Sequence, residues 1–161
     1  MRPTFEHTVD VLVKAYMNDT LRHGYCPACA VGNMIANSMG IEIVKEDGYG
    51  GLCWQGAVPQ WDNVFYTGAH PDEVGAQEMD LDSYQGEAKK QIDSTGYTVD
   101  ELAQIEKAFE SKNPTYFHES DTEFDRDEWM FRGLMAVVDV LAEIHNVDLS
   151  TKESAKLQFV K

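Results

Sequence analysis

Apolar residues recur at helical spacing through most of this chain. Phe5, Val9, Leu12, Val13, Tyr16 and Met17 fall on one face of a helix predicted over residues 4–18, with His7, Asp10 and Lys14 on its polar face. A second helix is predicted over 26–39, with Pro27 in its first turn and Gly40 just past its end. Along it Ala28, Gly32 and Ala36 form a ridge of small residues, beside a row of Cys29, Asn33 and Asn37. A third helix, over 83–94, has Asp82 or Ser83 as its cap and Gly96 as its stop. Thr98 and Glu101 stand at capping-box spacing before Leu102, Ile105 and Phe109, which predicts a helix over 99–111. The most apolar helix spans 127–145, where Trp129, Phe131, Leu134, Val138 and Leu141 belong to a nearly continuous apolar circumference. Such a helix is either the centre of the domain or half of a homo-oligomer interface. Ser150 and Glu153 repeat the capping-box spacing and predict a short helix over 151–158.

Residues 41–70 break this periodicity. Ile41, Ile43 and Val44 can start a strand, and Gly48, Gly50, Gly51 and Gly56 are then mixed with Tyr49, Trp54, Trp61, Phe65 and Tyr66. An insertion of this length in a small domain is functional or carries small strands. The expected fold is therefore mainly α, a compact helical domain with an irregular glycine- and aromatic-rich insertion that has room for a short β-hairpin. At 161 residues and 43% hydrophobic content, a single domain over 1–161 can bury its own core. The first ten residues do not read as an export signal and no apolar run is long enough to cross a bilayer, so the expectation is a soluble cytoplasmic protein without membrane contact.

Charge narrows the partners. With 28 acidic and 13 basic residues the net charge is −15, which repels phosphate backbones and argues against direct nucleic-acid binding. The densest acidic run is Glu119, Asp121, Glu123, Asp125, Asp127 and Glu128. Its ordinary reading is a solvated loop leading into a helix whose positive end favours Asp127 and Glu128. A sharper one is mimicry of DNA by carboxylates. Arg126 and Arg132 stand where a calcium-binding EF-hand loop needs glycine and glutamate, so the run is not such a loop.

Candidate chemistry gathers at the Cys26-Pro27-Ala28-Cys29 motif. Zinc has four suitable ligands in Cys26, Cys29, Cys53 and one of His23 or His70, although no second cysteine pair completes the pattern. Thiol redox chemistry suits two cysteines at a helix start, but a helix precedes the motif where thioredoxin-like folds have a strand. Hydrolase chemistry would pair Cys26 or Cys29 with His70, His118 or His145, without a recognisable signature. The plain alternative is small buried cysteines packing a helix end, with no cofactor.

For a bound ligand, the candidates are Cys29, Asn33 and Asn37 on the second helix and Tyr49, Trp54 and Trp61 in the insertion. Arg132 and Asp139 join them from the polar stripe that they share with Glu128 and Glu143. Structural roles compete at each. Buried amides bond loop backbone, tryptophans lock irregular loops onto helices, and Glu128 with Arg132 makes an ordinary surface pair.

The segments His23-Gly24-Tyr25-Cys26-Pro27-Ala28-Cys29-Ala30-Val31-Gly32-Asn33, Trp61-Asp62-Asn63-Val64-Phe65, Gly96-Tyr97-Thr98 and the helix from Glu128 to His145 resemble small uncharacterised accessory proteins of tailed bacteriophages. The resemblance covers most of residues 21–146 and carries no catalytic assignment. It implies a small protein in an infected bacterial cytoplasm, acting against a host defence by sequestering a nucleotide-like signalling ligand or by occupying a host protein. The acidity suits the second, because a nucleotide pocket needs local cations.

Overall fold

The computed structural model describes residues 2–22, 27–45, 51–65, 80–111 and 123–148, with side chains from residue 128 onward in the last stretch. The described elements run α1 (Phe5–Met17), α2 (Ala30–Met39), β1 (Ile43–Lys45), β2 (Leu52–Trp54), α3 (Asp62–Phe65), a 3-10 turn at Leu81–Ser83, α4 (Gly86–Ser94), α5 (Val99–Glu110) and α6 (Glu123–Ile144). The chain is mainly helical, with β1 and β2 paired antiparallel so that Ile43 faces Trp54 and Lys45 faces Leu52. Tyr49 and the segment predicted as a helix at 151–158 lie outside the described residues.

Local chemistry sets each helix start. The Thr4 side chain accepts from the His7 N–H and opens α1, and the reciprocal bonds of a capping box between Thr98 and Glu101 open α5. The second helix begins at Ala30 rather than at 26. Cys29 is still extended (φ −73°, ψ −178°), and its sulfur accepts the Gly32 N–H, so Pro27 and Ala28 form a turn before the helix. At the other end Gly40 takes φ +68°, a left-handed conformation that closes the helix and favours glycine. Neither Asp82 nor Ser83 caps α4. The Ser83 hydroxyl donates to Asp80 within the preceding 3-10 turn, and α4 starts at Gly86. The last helix starts at Glu123, a turn before Asp127, so Glu123 and Asp125 of the acidic run are helical rather than a loop.

Helix α6 packs most extensively on α5 and also on α1, while α2 packs on α1, α4 and α5. Met130, Leu134, Val137, Val138, Leu141 and Ala142 of α6 are buried, which makes it the central element of the core. Glu128, Arg132 and Glu143 of its polar stripe are exposed. On α1, Phe5, Val9 and Leu12 are buried as their spacing predicts, but Met17 is 69% exposed because it lies at the helix end, past the packed face. No helix among the described residues is long and apolar enough to cross a membrane.

The insertion is tied to the helices by one glutamine. Gln91 is fully buried, its Oε1 accepts the N–H groups of Gln60 (2.8 Å) and Trp61 (3.0 Å), and its Nε2 donates to the Val58 carbonyl (3.0 Å). Backbone polar groups brought into a core need such partners. With the segment pinned, Trp61, Val64 and Phe65 enter the core, and Trp54 follows from β2 with its Nε1 donating to the Pro27 carbonyl at 2.8 Å.

Candidate functional site

Among the described residues, polar chemistry gathers at a sealed place and at an open one. The sealed one is at Cys29, whose position as the cap of α2 points its sulfur at α5. The thiol donates to Glu106 Oε2 at 3.0 Å while the sulfur accepts the Gly32 N–H at 3.2 Å. Cys29 and Glu106 are buried, and so is Glu110, one turn further along α5. Burial, then the negative charge of Glu106, pushes the Cys29 thiol well above its usual range. Burial also pushes the Glu106 carboxyl well up, with the charge of Glu110 adding to the effect and the Cys29 thiol opposing it. A protonated Glu106 can donate to the neighbouring Glu110 carboxyl.

This environment holds Cys29 as a thiol, the opposite of what a nucleophile or redox cysteine needs. The arrangement is a proton-holding cluster that joins α2 to α5. Cys29→Ser should keep both hydrogen bonds, whereas Cys29→Ala removes the cap and a donor to Glu106 and should cost about 1–3 kcal/mol. Urea unfolding of the two variants side by side measures the difference.

Of the other proposed zinc ligands, Cys53 lies on β2 as a free, half-buried cysteine, and His23, Cys26 and His70 lie outside the described residues. Among the described residues, no group of three or more His, Cys, Asp or Glu side chains is placed to hold a metal ion. Asn33 is buried and its amide nitrogen shares two protons among the carbonyls of Thr20 (2.8 Å), Ala28 (3.0 Å) and Cys29 (3.1 Å), which clamps the turn before α2. Trp54 and Trp61 belong to the core. Arg132 pairs with Glu128 at 2.8 Å and lies 4.9 Å over the Trp129 ring, while Asp139, on the same helix, is half-buried. Asn37, one turn beyond Asn33, is exposed.

Asn37 marks the open place, a groove between α1 and α2. One end is a recess of about 200 Å³ whose lining includes His7, Thr8, Met34, Asn37, Ser94 and Tyr97. The other end is a broader hollow of about 470 Å³, where Asp10, Lys14, Asn18, Ile41 and Glu42 join His7 and Asn37. The recess offers uncharged hydrogen-bonding groups around an apolar patch, apart from the His7 ring. Among the described residues the hollow is lined by one lysine and no arginine, and the Lys14 ammonium is 2.9 Å from Asp10 Oδ2.

The chain matches no protein-family model, no curated protein and no solved structure. The groove's function therefore has to be argued from its own chemistry.

Beneath the recess runs a chain of three side chains from three parts of the sequence. Thr8 Oγ1 is 2.7 Å from the Tyr97 hydroxyl, which is 2.7 Å from His145 Nε2. Burial raises the Tyr97 phenol above its usual range and lowers His145 below its own. Neither this chain nor the Glu106 cluster is apparent from sequence spacing at the level of whole helices. Glu106 does carry one local signal, since it lies four residues after Leu102 and so falls within the apolar face of α5.

Proposed function

We propose that this chain is a small acidic binding protein whose working surface is the α1–α2 groove, and that the groove receives a basic segment of a partner protein. The phage resemblance supplies the setting, a bacterial cytoplasm in which a host protein is occupied. The observation that carries the reading is the charge along the groove. Asp10 and Glu42 outnumber Lys14 in the hollow, and Lys14 is already paired with Asp10. Among the described residues a phosphate group would find no unpaired lysine or arginine there, whereas a lysine- or arginine-bearing segment meets carboxylates and a molecule of net charge −15.

Titrating the labelled protein with a lysine-rich peptide, and separately with adenosine monophosphate, tests this by amide chemical shifts. The peptide should perturb His7, Lys14 and Asn37 and lose affinity steeply with salt. Saturation of the recess by the nucleotide would favour sequestration of a small ligand instead. No response to either probe would overturn the assignment of the groove.

A further inference from the structure

Thr8 and Tyr97 are among the residues that line the recess, and their hydroxyls belong to a hydrogen-bonded chain ending on a titratable ring. Thr8 and Tyr97 are 3% and 4% exposed, so little bulk water competes for the bond between them. Each hydroxyl has a single proton to donate, and the direction of one bond therefore fixes the direction of the next.

A phenol is a stronger donor than a neutral imidazole N–H, and an imidazole nitrogen a stronger acceptor than a phenol oxygen. Neutral His145 accordingly holds its proton on Nδ1 and accepts from Tyr97 at Nε2. Tyr97 then accepts from Thr8, and the lone pairs of Thr8 Oγ1 remain for a group entering the recess. Adding a proton to Nε2 reverses every step. The imidazolium donates to Tyr97, Tyr97 donates to Thr8, and the Thr8 proton turns outward.

We propose that the Thr8–Tyr97–His145 chain is a protonation-controlled selector that presents an acceptor to the groove's ligand when His145 is neutral and a donor when His145 is an imidazolium. The inference rests on the reading of the groove as a binding surface and names what that surface prefers at neutral pH: a donor-bearing group such as an ammonium, a guanidinium or an amide NH₂. Acidification turns the same position against that group.

The surroundings of His145 fit a ring that is neutral at physiological pH. Burial lowers its pKa most, the Arg2 guanidinium adds to this, and the carboxylates of Glu101 and Glu6 oppose it. Arg2 is held beside Tyr97, with its guanidinium 5.3 Å over the phenol ring and an ion pair to Glu101. The His145 ring packs edge-on against Tyr97 at 5.6 Å and against Phe5 at 6.1 Å, which keeps Nε2 aimed at the hydroxyl.

The test uses the full chain carrying His7→Asn, which removes the imidazole next to Thr8. The Thr8 methyl and the His145 ring nitrogens are followed by NMR from pH 8 down to the onset of acid unfolding. Thr8 should titrate with the His145 midpoint, and in Tyr97→Phe His145 should still titrate while the Thr8 response disappears. His145→Phe, in case Tyr97→Phe alters packing, should leave Thr8 flat over the same range. A Thr8 signal that ignores His145, or follows it in the absence of the Tyr97 hydroxyl, overturns the selector. The lysine-rich peptide then separates this proposal from the one on which it rests. Its affinity should fall roughly tenfold to a hundredfold across the His145 transition, the value of about one hydrogen bond to a charged group, and this pH dependence should be lost in Tyr97→Phe. A peptide that never binds rejects the groove while the coupled titration stands or falls separately.

Discussion

Gln91→Ala is expected to cost about 3 kcal/mol or more of folding stability, among the largest effects of any single polar substitution in this chain. The side chain is fully buried and satisfies three backbone groups of the insertion, the N–H of Gln60, the N–H of Trp61 and the carbonyl of Val58. Truncation leaves all three without their partner, at about 1–3 kcal/mol for each group that water does not reach. It also opens a hole beside Trp61, the largest fully buried side chain. Gln91→Leu separates the causes, because it restores most of the volume and none of the bonds. Urea unfolding followed by tryptophan fluorescence should show both variants strongly destabilised. A Leu variant as stable as the parent would mean that packing, not the three hydrogen bonds, holds the insertion.

Glu106→Gln should instead make the protein more stable, increasingly so as pH rises. Burial and the neighbouring Glu110 raise the folded-state pKa of Glu106 well above its ordinary value of 4.5. Below 4.5 the carboxyl is protonated in both the folded and unfolded chain, so the parent has its full stability there. As pH rises past 4.5 the unfolded chain releases this proton and the folded one keeps it, so stability is lost until the raised folded pKa is reached, and the loss then levels off. The slope for one proton is about 1.4 kcal/mol per pH unit. Gln keeps an oxygen to accept from Cys29 and adds an amide that can donate towards Glu110, without a proton to lose. Parallel unfolding curves between pH 4 and 8 should diverge upward for the variant, and curves of equal slope would remove Glu106 as the responsible group.

Both predictions concern residues whose roles sequence periodicity does not disclose. Local signals were legible where a short stretch of chain contains the whole interaction. The Thr98 and Glu101 capping box, the Gly40 helix stop, the apolar face of α5 and the short strand after Ile41 all satisfy this condition. Sequence spacing starts α2 too early because Pro27 is compatible with a first turn, whereas the sulfur of Cys29 competes as a cap through a bond to Gly32. Sequence composition starts α6 too late because an acidic run has the composition of a loop, whereas the helix extends back through Glu123.

The groove and the buried clusters were less legible for a different reason. Thr8, Tyr97 and His145 are brought together by the packing of α6 and the start of α5 against α1, and Gln91 meets its partners from about thirty residues away. Asn33 and Asn37 illustrate the limit well. They stand one helical turn apart and read alike in sequence, yet Asn33 is buried with its amide nitrogen against three carbonyls and Asn37 is exposed.

The placement of α6 bears on how the molecule comes to exist. Helix α1 is synthesised before the other described elements and α6 after them, yet the two pack directly on each other. While the ribosome is still making the middle of the chain, α1 can pair with α2 but keeps uncovered the flank that α6 later occupies. Completion of the core thus waits for residues encoded most of the sequence later, and nascent chains expose that flank to chaperones and to one another until they arrive.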